Sequence, residues 1–160
     1  MFMTKTIREK IERPKEFYYT NEDMVKDLLS ITPISGSVLD AGSGDKVWFN
    51  NLVGEKYECE IERGCDFYKW DKKVDWIVGN PPFHESWLFF KKASDVAQKG
   101  IAFLINNQAF NSWTPKRYQE FADKGFYLQH IRVVADKRWF GRYYYLIFGK
   151  ENNNLISWKL

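Results

Sequence analysis

The chain has 160 residues, a net charge of +3, 44% hydrophobic and 18% aromatic residues. That length suits one domain that buries roughly 70% of its unfolded surface, and that composition excludes intrinsic disorder. No stretch approaches the roughly 20 apolar residues of a membrane span, and the small positive excess favours a polyanionic partner without establishing one.

Residues 1–16 read as a polar tail ahead of a single domain over 17–160. Met1 to Arg13 mixes charges and lacks the apolar segment of a secretory signal, so a soluble cytoplasmic protein is expected, with no membrane partner. Thr20-Asn21-Glu22-Asp23 supplies a capping cluster, and Met24, Val25, Leu28, Leu29 and Ile31 follow at helical spacing until Pro33. Gly36 to Asp40 reads as a short buried strand entering the glycine turn Asp40-Ala41-Gly42-Ser43-Gly44-Asp45, then a short helix through Phe49 and Leu52. Tyr57, Cys59 and Ile61 alternate with Glu58, Glu60 and Glu62, the pattern of a half-buried strand. Gly64 to Phe67 reads as a loop. Cys59 and Cys65 have no further Cys or matched His spacing, so two reduced thiols are expected, with neither metal nor disulfide.

Val74 to Gly79 is a buried strand ending at Asn80-Pro81-Pro82-Phe83. Each proline fixes its own φ, and the residue before a proline is pushed extended, so Asn80 is held at a strand end beside backbone carbonyls and the flat face of Phe83. An amino group on an aromatic ring needs such a receptor: acceptors for its N–H bonds and a surface to stack the ring. A helix is expected over residues 85–98, stopped by Gly100. Ile101 to Ile105 is a further strand, Pro115 to Lys124 a helix, and Phe126 to Val134 and Tyr143 to Gly149 a final antiparallel pair. Strands alternating with helices imply an α/β sandwich with a mainly parallel sheet, in which ligands bind outside the carboxyl ends of strands. Both Asp40 and Asn80 stand at such ends.

Gly42 and Gly44 admit close approach of backbone to a ligand. A carboxylate about twenty residues after Asp40 suits the hydroxyls of a ribose, but Glu58, Glu60 and Glu62 share one exposed face and the spacing alone leaves the choice open, as it does a solvated acidic edge. The turn Lys137-Arg138-Trp139-Phe140-Gly141-Arg142 interleaves cations with aromatics, a mix that stacks bases and neutralises phosphate or forms a solvated hairpin tip. Trp113, Lys116 and Arg117 are a weaker candidate for the same surface, and Asn106-Asn107-Gln108 reads as a polar loop.

In this order the segments resemble the S-adenosylmethionine-dependent amino-methyltransferases with an (N/D)-P-P-(Y/F) motif, the group that includes the DNA adenine-N6 enzymes. The resemblance implies a Rossmann-like methyltransferase fold, with a mainly parallel seven-stranded sheet, an antiparallel last strand and helices on both faces. It implies S-adenosyl-L-methionine as cofactor, bound by Tyr19 and Thr20 in the segment from Phe17, by Asp40, Ala41, Gly42 and Gly44, by Glu60 as the ribose acid, and by Asp66 and Phe67 near adenine. It makes Asn80, Pro81, Pro82 and Phe83 catalytic, and Lys137, Arg138, Trp139, Phe140 and Arg142 substrate-binding. Ala41 and Asn21 stand where family members often have proline, and the stretch from Ile61 to Val74 is short for the usual helix.

The resemblance further implies methyl transfer to an exocyclic amino group of a nucleobase, most closely N6 of adenine in DNA. The alternatives are adenine-N6 or guanine-N2 in RNA, and a non-catalytic nucleic-acid-binding subunit. The sequence has no space for the separate recognition domain of many DNA enzymes, so a minimal enzyme is expected that is either relaxed in specificity or relies on a homodimer or a specificity partner.

Overall fold

The computed structural model describes residues 20–136 and 141–160. Asn21 caps the first helix, α1 (Glu22–Ser30), its side chain accepting from the amides of Asp23 and Met24 at 2.8 and 3.4 Å. The residue standing in the place of the family's proline is therefore a helix cap, with Glu22 and Asp23 favourably placed at the positive end of the helix.

Six strands among the described residues form one sheet in the order β2-β1-β3-β4-β6-β5. They are β1 (Val38–Ala41), β2 (Lys56–Cys59), β3 (Val74–Gly79), β4 (Ala97–Asn106), β5 (Tyr127–Val134) and β6 (Tyr143–Gly149). The first four pair in parallel, and β6 runs antiparallel to both β4 and β5. The antiparallel last strand is as expected, but among the described residues the sheet has six strands rather than seven. Two single-turn 3-10 helices, Ile61–Arg63 and Phe67–Lys69, occupy the connection from β2 to β3. That connection is too short to hold a helix and a strand as well, so β2 lies at the edge.

Both faces are covered. On one, α1 and α2 (Val47–Asn51) pack Val25, Leu28, Trp48 and Leu52 on Val78, Leu104 and Tyr145. On the other, α3 (Ser86–Val96), α4 (Asn107–Asn111) and α5 (Pro115–Asp123) pack Phe90, Ala109 and Phe121 on Phe103 and Phe148. The aromatic content is spent mainly on this second face, where the Trp113 ring meets Phe90, Phe121 and Phe148 at about 5 Å.

Two boundaries differ from expectation. The helix α3 stops at Val96, and Gly100 lies inside β4 rather than ending a helix; a Cβ there would sit 2.3 Å from the Trp76 ring, so Gly100 makes room for Trp76. The second strand ends at Cys59, because Glu60 turns out of the sheet to cap the first 3-10 turn with its own carboxylate. Gly64 then reverses the chain, bringing the Cα atoms of Cys59 and Cys65 to 5.1 Å, where the two sulfurs form a disulfide. The expected pair of reduced thiols is thus corrected: that spacing lies within the range a disulfide spans.

Candidate active site

The chain runs from β1 out to β2, then crosses back to β3 on the other side of β1. The crevice at the carboxyl ends of β1 and β3 is the switch point where open α/β sheets bind ligands. Asp40, Ala41 and the glycine turn leave β1 there, and Asn80 leaves β3 beside them. Gly79 permits the approach: its φ is +145°, and a Cβ would stand 2.9 Å from the Ala41 carbonyl oxygen and 3.2 Å from an Asp40 carboxylate oxygen. No other residue type fits between the two strand ends.

Asp40 is fully buried, and its Oδ2 accepts from the Phe49 amide at 3.0 Å, tying the start of α2 back onto β1. Its Oδ1 is buried with no hydrogen-bond partner. Burial pushes the carboxyl up to about 8 against the opposing pull of the Phe49 amide, and the negative charges of Glu58, Glu60 and Asp45 push it the same way. Four acidic side chains thus stand around the turn, with Lys46 and Arg63 both paired to Glu58.

The turn is held from outside by β2 and its continuation. The Cys59 carbonyl accepts from the amides of Gly42 and Ser43 at 2.8 and 3.0 Å, and Glu60 Oε2 accepts from the Gly44 amide at 2.7 Å. Of the three acids the spacing left open, Glu60 is the one against the glycine backbone. Glu58 instead accepts from the Ser43 hydroxyl and pairs with Arg63 at 2.6 Å, which holds its carboxyl down to about 2, while Glu62 is exposed. Arg63 also donates to the Gly44 carbonyl at 2.7 Å. Sequence reasoning passed over Arg63; its only signal was a cation three residues after Glu60 in a turn closed by Gly64.

Asp66 caps the second 3-10 turn by accepting from the Tyr68 amide at 3.0 Å, and Phe67 is buried against Phe89, their ring centres 5.1 Å apart. Phe67 therefore forms part of the wall behind the glycine turn, where Phe89 also lies 3.5 Å from the position of a Cβ on Gly42.

On the other side of the crevice, Asn80 Nδ2 donates to Thr20 Oγ1 at 3.2 Å, and Trp48 Nε1 donates to the same oxygen at 3.3 Å. Pro81 is buried, Pro82 exposed, and Phe83 half-buried with its ring 5.9 Å from Tyr143. Tyr143, Trp48 and Gly79 are further residues that sequence reasoning missed, since an aromatic in a strand and a glycine before Asn80 carry no signal beyond packing. Tyr143 opens β6 opposite Asn106, so Arg142, which is exposed, enters at the same sheet edge as Asn80. Asn106 caps α4 rather than belonging to a loop, its side chain accepting from the Ala109 amide at 2.9 Å. Tyr19 and the substrate-binding candidates Lys137, Arg138, Trp139 and Phe140 lie outside the described residues. Among the described residues no group of three or more His, Cys, Asp or Glu side chains could hold a metal ion, and no helix is long and apolar enough to cross a membrane.

No family model matches the sequence, and no curated protein matches it. Solved structures do resemble the fold. Magnesium protoporphyrin IX methyltransferase (ChlM) from Synechocystis, solved with bound SAM, superposes with a TM-score of 0.57 at 15% identity over 81% of this chain and 77% of its own. A ribosomal-protein methylase from Lactobacillus delbrueckii subsp. bulgaricus gives 0.57 at 14% identity, over 82% and 78%. TrmN from Thermus thermophilus gives 0.53 at 20% identity over 81% of this chain and 48% of its own. The fold is the Rossmann-like methyltransferase fold.

Proposed function

We propose that the protein transfers a methyl group from S-adenosyl-L-methionine to an exocyclic amino group of a nucleobase, with N6 of adenine in DNA as the leading target. The observation that carries this reading is the junction at Gly79, which sets the Asn-Pro-Pro-Phe segment directly against the carboxyl end of β1 and its glycine turn. The residues present suit that cofactor. Glu60 and Asp45 beside the turn supply negative charge for a ligand carrying ammonium and sulfonium groups, and the buried Asp40 carboxyl has an oxygen with no hydrogen-bond partner. Glu60, already against the turn, is the acid best placed for ribose hydroxyls.

When bound, the cofactor supplies an electrophilic methyl group. The chain supplies position and fixed dipoles. The lone pair of a purine amino group is delocalised into the ring; hydrogen bonds from that amine to Asn80 Oδ1 and the Pro81 carbonyl draw its nitrogen toward tetrahedral geometry and localise the pair. Phe83, backed by Tyr143, offers the face on which the base stacks, once the base has left a duplex. Lys137, Arg138, Trp139, Phe140 and Arg142 supply phosphate and base contacts, and a phenylalanine rather than tyrosine at the fourth motif position, together with this basic and aromatic stretch of sequence, favours a nucleobase over a protein amide.

The test is transfer of labelled methyl to duplex DNA, single-stranded DNA and structured RNA in parallel, with product nucleosides identified by mass spectrometry. N6-methyladenine in DNA is expected. Methylated RNA would move the target to the RNA branch, and absence of cofactor binding would leave a nucleic-acid-binding subunit. Asn80→Ala is expected to slow transfer roughly 10²–10³-fold, the size of effect seen when one oriented polar group is lost from an active site. Near-normal turnover in that variant would remove Asn80 from the mechanism.

A further inference from the structure

Thr20 makes contacts that a cofactor ligand would not need. It is 5% exposed, and its oxygen receives two donors at once, Asn80 Nδ2 at 3.2 Å and Trp48 Nε1 at 3.3 Å. An indole N–H and an amide NH₂ can only donate, and a hydroxyl oxygen has two acceptor sites, so both sites of Thr20 are engaged. Trp48 is itself fixed. Its ring stacks on Tyr145 with centres 5.8 Å apart, Tyr145 is hydrogen-bonded to Thr32 at 2.7 Å, and Thr32 donates to the Leu28 carbonyl of α1 at 2.8 Å. A line of packed and bonded groups thus runs from α1 along one face of the sheet to the carboxamide of Asn80.

We infer that Thr20 is a positioning residue for Asn80: by holding Nδ2, it fixes the plane of the carboxamide and with it the direction of Oδ1, the atom that would receive the target amine. The inference rests on the proposed role of Asn80. It differs from the resemblance, which makes Thr20 a cofactor contact. A free carboxamide at the end of χ2 is nearly two-fold in its orientation, and an oriented one is what a site that works by fixed dipoles requires.

The experiment compares Thr20→Val, which keeps the branched shape without the oxygen, with Thr20→Ser, which keeps the oxygen. Thr20→Val is expected to lower kcat roughly tenfold, the scale of one buried hydrogen bond, with KM for S-adenosylmethionine changed by less than about twofold. Thr20→Ser is expected to retain most of the wild-type kcat. The Trp48 indole and Asn80 carboxamide resonances in ¹⁵N spectra should move in the first variant and not in the second. A wild-type kcat in Thr20→Val with a raised KM for S-adenosylmethionine would make Thr20 a cofactor ligand and overturn the inference. If Thr20→Val fails to fold, hydrogen exchange in the unsubstituted protein decides: slow exchange of the Asn80 side-chain amide supports the bond, and exchange at the rate of an exposed amide refutes it. Full turnover in Asn80→Ala, by contrast, would count against the proposed function and leave the spectroscopic result standing.

Discussion

A buried carboxyl at the head of the glycine turn sets how this protein responds to pH. Above about pH 4 the Asp40 carboxyl of the unfolded chain has lost its proton, whereas in the folded protein it keeps the proton up to about 8. In that window the folded state binds more protons than the unfolded one, so ionisation of Asp40 lowers stability as pH rises, and the loss is complete above the folded value. Asp40→Asn keeps an acceptor for the Phe49 amide and cannot ionise. Urea unfolding at about pH 5 and about pH 8 should therefore show a fall in stability of a few kcal/mol for the wild type that is largely absent in the variant. Equal slopes would mean that Asp40 is ionised in the folded protein. The residue was legible in the sequence as the head of a glycine turn, but its protonation was not, because that depends first on complete burial under α2 and then on Glu58 and Glu60 arriving from β2 and its continuation. Glu60 illustrates the same limit: alternation made three glutamates equivalent, and only the end of β2 at Cys59 separated them.

Elements built from strong local signals were legible, and those that depend on a distant partner were not. Alternating strands and helices, the cap at Asn21 and the antiparallel closing pair follow from periodicity and short connections. The start of β4 did not, since Gly100 answers to the Trp76 ring across the sheet rather than to a helix end. The cap is a direct test of local control: Asn21→Ala should cost about 1 kcal/mol and lower Tm by a few degrees, read by thermal unfolding. The disulfide was missed because spacing says nothing about where a turn sends the chain. Cys59 also carries the carbonyl that binds Gly42 and Ser43, and the closed segment contains Glu60 and Arg63, both bonded to Gly44. Reduction should remove about 2 kcal/mol of chain constraint from this small loop, and should raise amide exchange at Gly42 to Gly44. Identical melting curves and exchange rates with and without a dithiol would show that the 3-10 turns hold the segment by themselves.

At the scale of the whole molecule the sheet order places the glycine turn and Arg142 on opposite sides of Asn80. The acidic residues around the glycine turn lie at β1 and β2, Arg142 immediately precedes β6 on the far side of the sheet, and Asn80 leaves β3 between them. On the proposed roles of residues 137–142, the cationic methyl donor binds on the β1 side of Asn80 and the polyanionic acceptor on the β6 side. A net charge of +3 spread evenly would give weak, diffuse attraction to nucleic acid; concentrated cations give a salt dependence that can be assigned to residues. The slope of log K against log[salt] for duplex DNA should fall by roughly one for each phosphate-contacting cation removed. Replacing Lys137, Arg138 and Arg142 together by alanine should therefore flatten it by roughly three and leave affinity for S-adenosylmethionine unchanged. Titrations over a range of salt, with DNA and with S-adenosylmethionine separately, distinguish the outcomes. An unchanged slope would assign the phosphate contacts to other cations, Lys116 and Arg117 first, and a simultaneous loss of cofactor affinity would contradict the separation of the two sides.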